Sequence, residues 1–184
     1  MTYPSFSAGD ILTAADMNAV GLWLIKTQTI GSAVSSVNVT GAFSSTYDDY
    51  LIHVSNTVVS ANQPALGIRL GATTTNYGQS GLYISFSSNS ITGNVTTVGT
   101  SFSIGECGNG TTGQGRLSMG VTVKNPNIAQ ATFFSATNGS LAWSSMYNGF
   151  LNNTTQYTDF TILPTSGTLT GGTIRVYGYK NGLS

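Results

Sequence analysis

From Leu117 to Lys124 the chain alternates Leu117, Met119, Val121 and Val123 with Ser118, Gly120, Thr122 and Lys124. A period of two places alternate side chains on opposite faces of a β-strand, here one buried face and one wet face, as in an antiparallel sheet. Shorter runs of the same kind recur. Leu22 to Ile30 is apolar on both faces at its start, with Trp23 and Ile25 against Leu22 and Leu24, and so predicts a covered strand. Val34, Val37 and Val39 suggest another. Further strands are expected at Tyr50 to Ser55, Leu66 to Leu70, Leu82 to Phe86, Val95 to Val98, Phe102 to Ile104, Ala131 to Ser135, Tyr157 to Leu163 and Thr173 to Tyr179, about eight to ten in all. Asn109-Gly110, Asn138-Gly139, Asn148-Gly149 and Gly171-Gly172 read as turns between them. The fold class that follows is all-β, an antiparallel β-sandwich of jelly-roll-like type over residues 21–184.

Composition supports strands and restricts chemistry. Only 7% of residues are charged, six basic and six acidic, against roughly 25% in an ordinary globular domain. Serine, threonine, asparagine and 23 glycines supply the polarity, and these residue types favour turns and strands over helices. A chain with no net field has nothing to draw phosphate backbones or anionic lipid, so neither nucleic acid nor a membrane is an expected partner. Little repulsion separates copies, which suits permanent assembly. One cysteine, Cys107, cannot close an intramolecular disulfide. The opening MTYPSFSAGD has no basic region or apolar core and is not expected to be a secretory signal, and no run approaches the ~18 apolar residues of a membrane span.

Residues 1–20 read as a separate arm. Thr13 can cap the backbone N–H of Asp16, Leu12 can staple onto Met17, and a short helix is expected from about Ala14 to Val20. Isolated helices below ~12 residues are marginal in water, so Phe6, Ile11, Leu12 and Met17 need a docking surface, on this chain or another.

Phe6-Ser-Ala-Gly9-Asp10-Ile11-Leu12-Thr13-Ala14-Ala15-Asp16-Met17-Asn18 resembles the opening of many tailed-bacteriophage fibre, minor tail and other virion proteins. The body, with Ser44-Ser45-Thr46-Tyr47-Asp48-Asp49-Tyr50 and Gly172-Thr-Ile-Arg-Val-Tyr-Gly-Tyr-Lys180, looks like the compact β-sandwich modules on phage particles. The resemblance implies a structural protein on the virion exterior, anchored through Phe6, Gly9, Ile11, Leu12, Thr13, Asp16 and Met17, with a projecting β-domain that is usually a homotrimer. Its partners would be other virion proteins of tail or capsid. A fibre shaft is missing, which favours a short tail fibre, spike or tail adaptor, with capsid decoration as the alternative.

Enzymatic chemistry is not expected. His53 is the only histidine, and on a strand it points away from the face of Tyr50, Ile52 and Val54. The acids Asp10, Asp16, Asp48, Asp49, Glu106 and Asp159 show no recognisable catalytic spacing. One Cys and one His are too few for zinc, and Asp48-Asp49 reads as a turn. No cofactor or metal is expected within one chain. Gly105 to Gly115, around Glu106-Cys107, lacks the lysine and helix of a phosphate cradle and reads as a surface loop. Trp143, Tyr147 and Phe150, beside Asn148, Asn152 and Asn153, read as loop aromatics that could contact a host surface glycan, cap one end of the sandwich or fill a subunit interface. Tyr177 and Tyr179, on one strand face with Arg175, read as core or interface residues.

Overall fold

The computed structural model describes residues 8, 9, 11, 21–107 and 117–179. The expected helix at 14–20, and Phe6, Leu12, Thr13, Asp16 and Met17 with it, lie outside the described residues, as does Asn109-Gly110. Of the expected anchor, Gly9 has a φ of 100° and Ile11 is exposed.

The described residues form strands and no helix. In chain order the strands are β1 (Leu22–Thr29), β2 (Val37–Val39), β3 (Asp49–Val59), β4 (Ala65–Leu70), β5 (Tyr77–Ser85), β6 (Ser90–Gly99), β7 (Phe102–Glu106), β8 (Leu117–Lys124), β9 (Thr132–Gly139), β10 (Trp143–Leu151), β11 (Phe160–Pro164), β12 (Leu169–Thr170) and β13 (Thr173–Tyr179). They make two antiparallel sheets. One has nine strands, ordered β1-β13-β3-β8-β9-β10-β5-β6 with β12 beside β3; the other has four, ordered β2-β11-β4-β7.

Alternation explains the layering. On β8 Leu117, Met119, Val121 and Val123 are buried, as the sequence predicts, and on β9 Thr132, Phe134, Ala136 and Asn138 are buried. From the smaller sheet Val37, Val39, Leu66, Ile68, Leu70, Ile104, Phe160 and Ile162 join Tyr50, Ile52, Val54, Ile174 and Val176 of the larger in one core. Phe102 of β7 and Phe134 of β9 stack across the gap, centroids 4.7 Å apart. Each large side chain so buried contributes roughly 1.5–3 kcal/mol. The Tyr50 and Tyr77 hydroxyls inside this core are tied to the backbone. The hydroxyl of Tyr50 accepts from the Ser44 N–H at 2.7 Å and donates to the Ser44 carbonyl at 2.8 Å, while that of Tyr77 accepts from the Leu70 N–H at 2.8 Å. Burial pushes the Tyr77 phenol up to about 12.

Several expectations are corrected. The stretch holding Trp143, Tyr147 and Phe150 is no loop but the regular strand β10, paired in full register with β9 and β5. Asn148-Gly149 therefore lies inside β10 and Asn138-Gly139 ends β9 just before the turn at 140–142, while Gly171-Gly172 turns the chain as expected, both with positive φ. The turns are made elsewhere by lone asparagines, Asn76, Asn89 and Asn125, at φ of 66°, 51° and 61°. Leu22 and Leu24 of β1 stay exposed, so only one face of that strand is covered. Tyr157 precedes β11 and donates its amide to Pro126. Gly105 and Glu106 end β7 and Cys107 is buried, so the glycine-rich stretch does not begin as a surface loop. Tyr177 and Tyr179 are not core residues; they lie half-buried on the outer face of β13.

β3 is longer than its sequence pattern suggests because it carries a bulge at Asn56, φ 59°, between the register pairs of Ser55 and Thr57. The extra residue shifts the alternation, so that Thr57 and Val59 face inward after Tyr50, Ile52 and Val54. Gly172 lies against this bulge. A Cβ there would stand 2.5 Å from the Ser55 carbonyl oxygen and 2.6 Å from the Thr57 nitrogen, at a φ of 93°. Gly172→Ala is accordingly expected to cost about 2–4 kcal/mol, read as a fall in Tm. Gly171→Ala, with a φ of 65° but open space around its Cβ, should cost only the ~1 kcal/mol of left-handed backbone. Equal losses in both would refute the clash.

Candidate functional site

Because β10 alternates, it parts the three aromatics that the sequence grouped. Trp143 and Tyr147 point to the inner face with Ser145 and Leu151, while Phe150 points outward with Met146 and Asn148. The trio makes no single binding surface. Tyr147 is fully buried, its ring lying over Gly81 of β5, and cannot contact an external ligand. Trp143 packs edge-on against Tyr83, centroids 5.5 Å apart.

Tyr147 belongs to a polar cluster where β7 meets β9 and β10. The Tyr147 hydroxyl donates to Oε1 of Glu106 at 3.0 Å, and the Asn138 amide donates to the Glu106 carbonyl. Asn138 Oδ1, Ser145 Oγ and Trp143 Nε1 are buried without a hydrogen-bond partner, each an unfavourable arrangement unless offset. Burial raises the Glu106 carboxyl above its usual range, partly offset by the Tyr147 hydrogen bond. Burial, then the Glu106 charge and hydrogen bond, raises the Tyr147 phenol. Cys107 next to it is pushed up to about 12, by burial first and the Glu106 charge second, which makes it an inert thiol. Sequence reasoning missed this cluster because its members are far apart in the chain.

The other titratable groups do not join it. His53 faces outward, its ring edge-on to Tyr177 at 5.8 Å, over a shallow depression with Ser118, Gly120 and Thr137. The Asp159 carboxylate accepts the Gly41 N–H at 2.8 Å. Among the described residues no three His, Cys, Asp or Glu side chains converge as metal ligands would.

Outside, the larger sheet carries an apolar band. Cross-strand registers place Phe133 of β9 beside Phe150, Met146 beside Leu82 of β5, and Ile84 beside Ile91 of β6, with Val95 beside Ser80. The Phe150 ring lies over Gly78, where a side chain would collide with it. Exposures run from 37% at Ile84 to 73% at Val95. Within the band a groove of about 830 Å³ crosses five strands, lined by Phe133, Phe150, Ser135, Asn148, Ser80 and Val95, with Lys124 at its rim. Phe150 was legible in the sequence as a surface aromatic; its true neighbours were not.

A carboxyl whose folded pKa lies above its unfolded value stabilises fully at pH below the unfolded value, and that contribution is lost as pH rises through the folded pKa. Glu106→Gln, which keeps an acceptor for Tyr147, is therefore expected to raise Tm at neutral pH and to change it little below about pH 4. A gain confined to acid pH in thermal melts would contradict the assignment.

No protein-family model matches the chain, and no curated protein matches it. Solved structures with partial likeness are mixed. The Drosophila NLP-core, whose structure was described for pentamer formation and histone binding, is 9% identical, with 85% of this chain and 100% of that one covered and a TM-score of 0.25. The CBM22-1–GH10 modules of a Clostridium thermocellum endo-1,4-β-D-xylanase, complexed with xylohexaose, are 8% identical over 89% of this chain, with a TM-score of 0.27; the chain spans 25% of their length. The VP2 subviral particle of infectious bursal disease virus is 10% identical, covers 84% and 41%, and scores 0.15. Likeness this weak assigns neither a family nor a function.

Proposed function

We propose that this chain is a non-enzymatic structural protein of a tailed-bacteriophage particle, a short tail fibre, spike or tail adaptor on the virion exterior. The N-terminal segment attaches it to other virion proteins, and the β-domain oligomerises, as a homotrimer. The observation that supports this reading best is the outward apolar band on β9, β10, β5 and β6, a surface suited to being covered. The resemblance of residues 6–18 to virion openings supports the attachment. Within this reading the β-domain is a sandwich of jelly-roll type. The chain's repeated crossings between sheets, as from β1 to β2 to β3 to β4 to β5, favour that, while the β8-β9-β10 meander departs from it. Capsid decoration is the same reading with a different address.

A second reading is favoured by the groove. Phe133 and Phe150 with Asn148 and Ser135 offer an apolar platform flanked by amide and hydroxyl groups, a combination that can stack on a sugar and hydrogen-bond its hydroxyls. That is a lectin-like host-receptor module.

Deleting residues 1–18 is expected to abolish incorporation into particles while leaving the β-domain folded by circular dichroism. Normal incorporation of the deletion variant would end the anchoring proposal. Phe150→Ala separates the two readings when adsorption to host cells is compared for particles carrying wild-type numbers of the variant: the structural role leaves adsorption unchanged, whereas the lectin-like role requires a loss of at least tenfold.

A further inference from the structure

On β6 the usual polarity of a sheet is reversed. The inward-facing side chains of β6 are Thr92, Asn94 and Thr96, and the outward-facing ones include Ile91 and Val95, at 68% and 73% exposure. An antiparallel sheet with one wet face turns its polar residues to the water. Here the apolar residues meet it.

The same strand leaves an edge unguarded. β6 ends the larger sheet, and its ten residues, SITGNVTTVG, include no charge and no proline. Its one register irregularity lies at the far end, between the partners of Tyr77 and Gln79. The opposite edge, β1, carries Lys26 and a bulge in the middle of the strand, two of the devices that keep edges from pairing.

We infer that the outward band is the surface by which copies of this chain pack on one another, the β6 side chains of one copy entering the groove of the next. Area is consistent with this. Large apolar side chains present on the order of 150–200 Å² when fully exposed, so Leu82, Ile91, Val95, Phe133, Met146 and Phe150 at their observed exposures offer on the order of 600 Å². Stable interfaces bury about 800 Å² per partner, and Ser80, Ser135 and Asn148, one cross-strand row between Phe133 and Phe150 on one side and Leu82 and Met146 on the other, add polar area to that face. Charge points to self-association too. Partners of different sequence are commonly selected by complementary charge, and Lys124 is the one charged residue lining the groove. One face thus carries both the exposed β6 side chains and the groove they help to line, so two copies can meet through the same patch.

The inference deepens the assembly reading above and rests on it only for the expected stoichiometry. The full chain is compared with Val95→Lys/Met146→Lys and with Thr27→Lys/Thr29→Lys, a control on the β1 edge, by sedimentation. Wild type and control are expected to sediment as one oligomer, and the band variant as a folded monomer with at least tenfold weaker association. A wild-type monomer at tens of micromolar overturns the inference. An oligomer that survives the band substitutions also overturns it but leaves the assembly reading standing, because particle incorporation tests that separately. Survival of the oligomer with lost host-cell adsorption assigns the band to a host ligand. Should the double variant not fold, a spin label on Met146→Cys gives a second measurement, clean because Cys107 is buried. Coupling between copies within ~20 Å, about two sheet spacings, is expected, and its absence refutes the contact.

Discussion

A four-stranded sheet cannot cover a nine-stranded one. Strands lie about 4.8 Å apart, so β2, β11, β4 and β7 roof only part of the larger sheet. Everything else follows from that mismatch. Where the roof exists, the inner face is mostly apolar, with Phe102 stacked on Phe134 as the tie between layers. At the β7 edge polar groups appear, Glu106, Tyr147 and Asn138, held to one another. Farther out, on β6, the inner face is threonine and asparagine.

Without disulfides among the described residues, and with so few ions, the packing of this core must carry the stability. Local devices adjust the sheet to that need. The Asn56 bulge re-phases a long strand so that both its halves face the core. Glycines at positions 78 and 81 let aromatic rings of β10 lie across β5, Phe150 on one face and Tyr147 on the other, a cross-strand arrangement that stabilises glycine-containing strands. A residue type associated with loops is here part of the sheet's surface.

How much of this could be read from residues alone depended on whether a strand's signal was purely alternation. β8 was legible because Leu117 to Lys124 alternates without interruption. β10 was not, although Trp143, Ser145, Tyr147 and Leu151 alternate with Ser144, Met146, Asn148 and Phe150 just as regularly in the structure. Asn148-Gly149 looked like a turn, and in fact Gly149 is needed because Phe102 and the Gly78 backbone crowd it. Local turn chemistry was overruled by tertiary packing. Of the candidate aromatics, Phe150 is exposed, as ligand contact would require, whereas Tyr147 is buried with its hydroxyl on Glu106, 41 residues away, which agrees with the packing alternative. Contacts of that separation leave no local trace.

The pairing of β1 with β13 joins the two ends of the described chain, Leu22 opposite Tyr179. A ribosome makes the first strand long before the last, so β1 waits without its neighbour until nearly the whole domain has emerged, a topology that folds late and slowly. Residues 1–20 run directly into that strand. Among the described strands β1 has β13 as its one sheet neighbour, so this edge of the larger sheet closes only when both ends of the described chain are present.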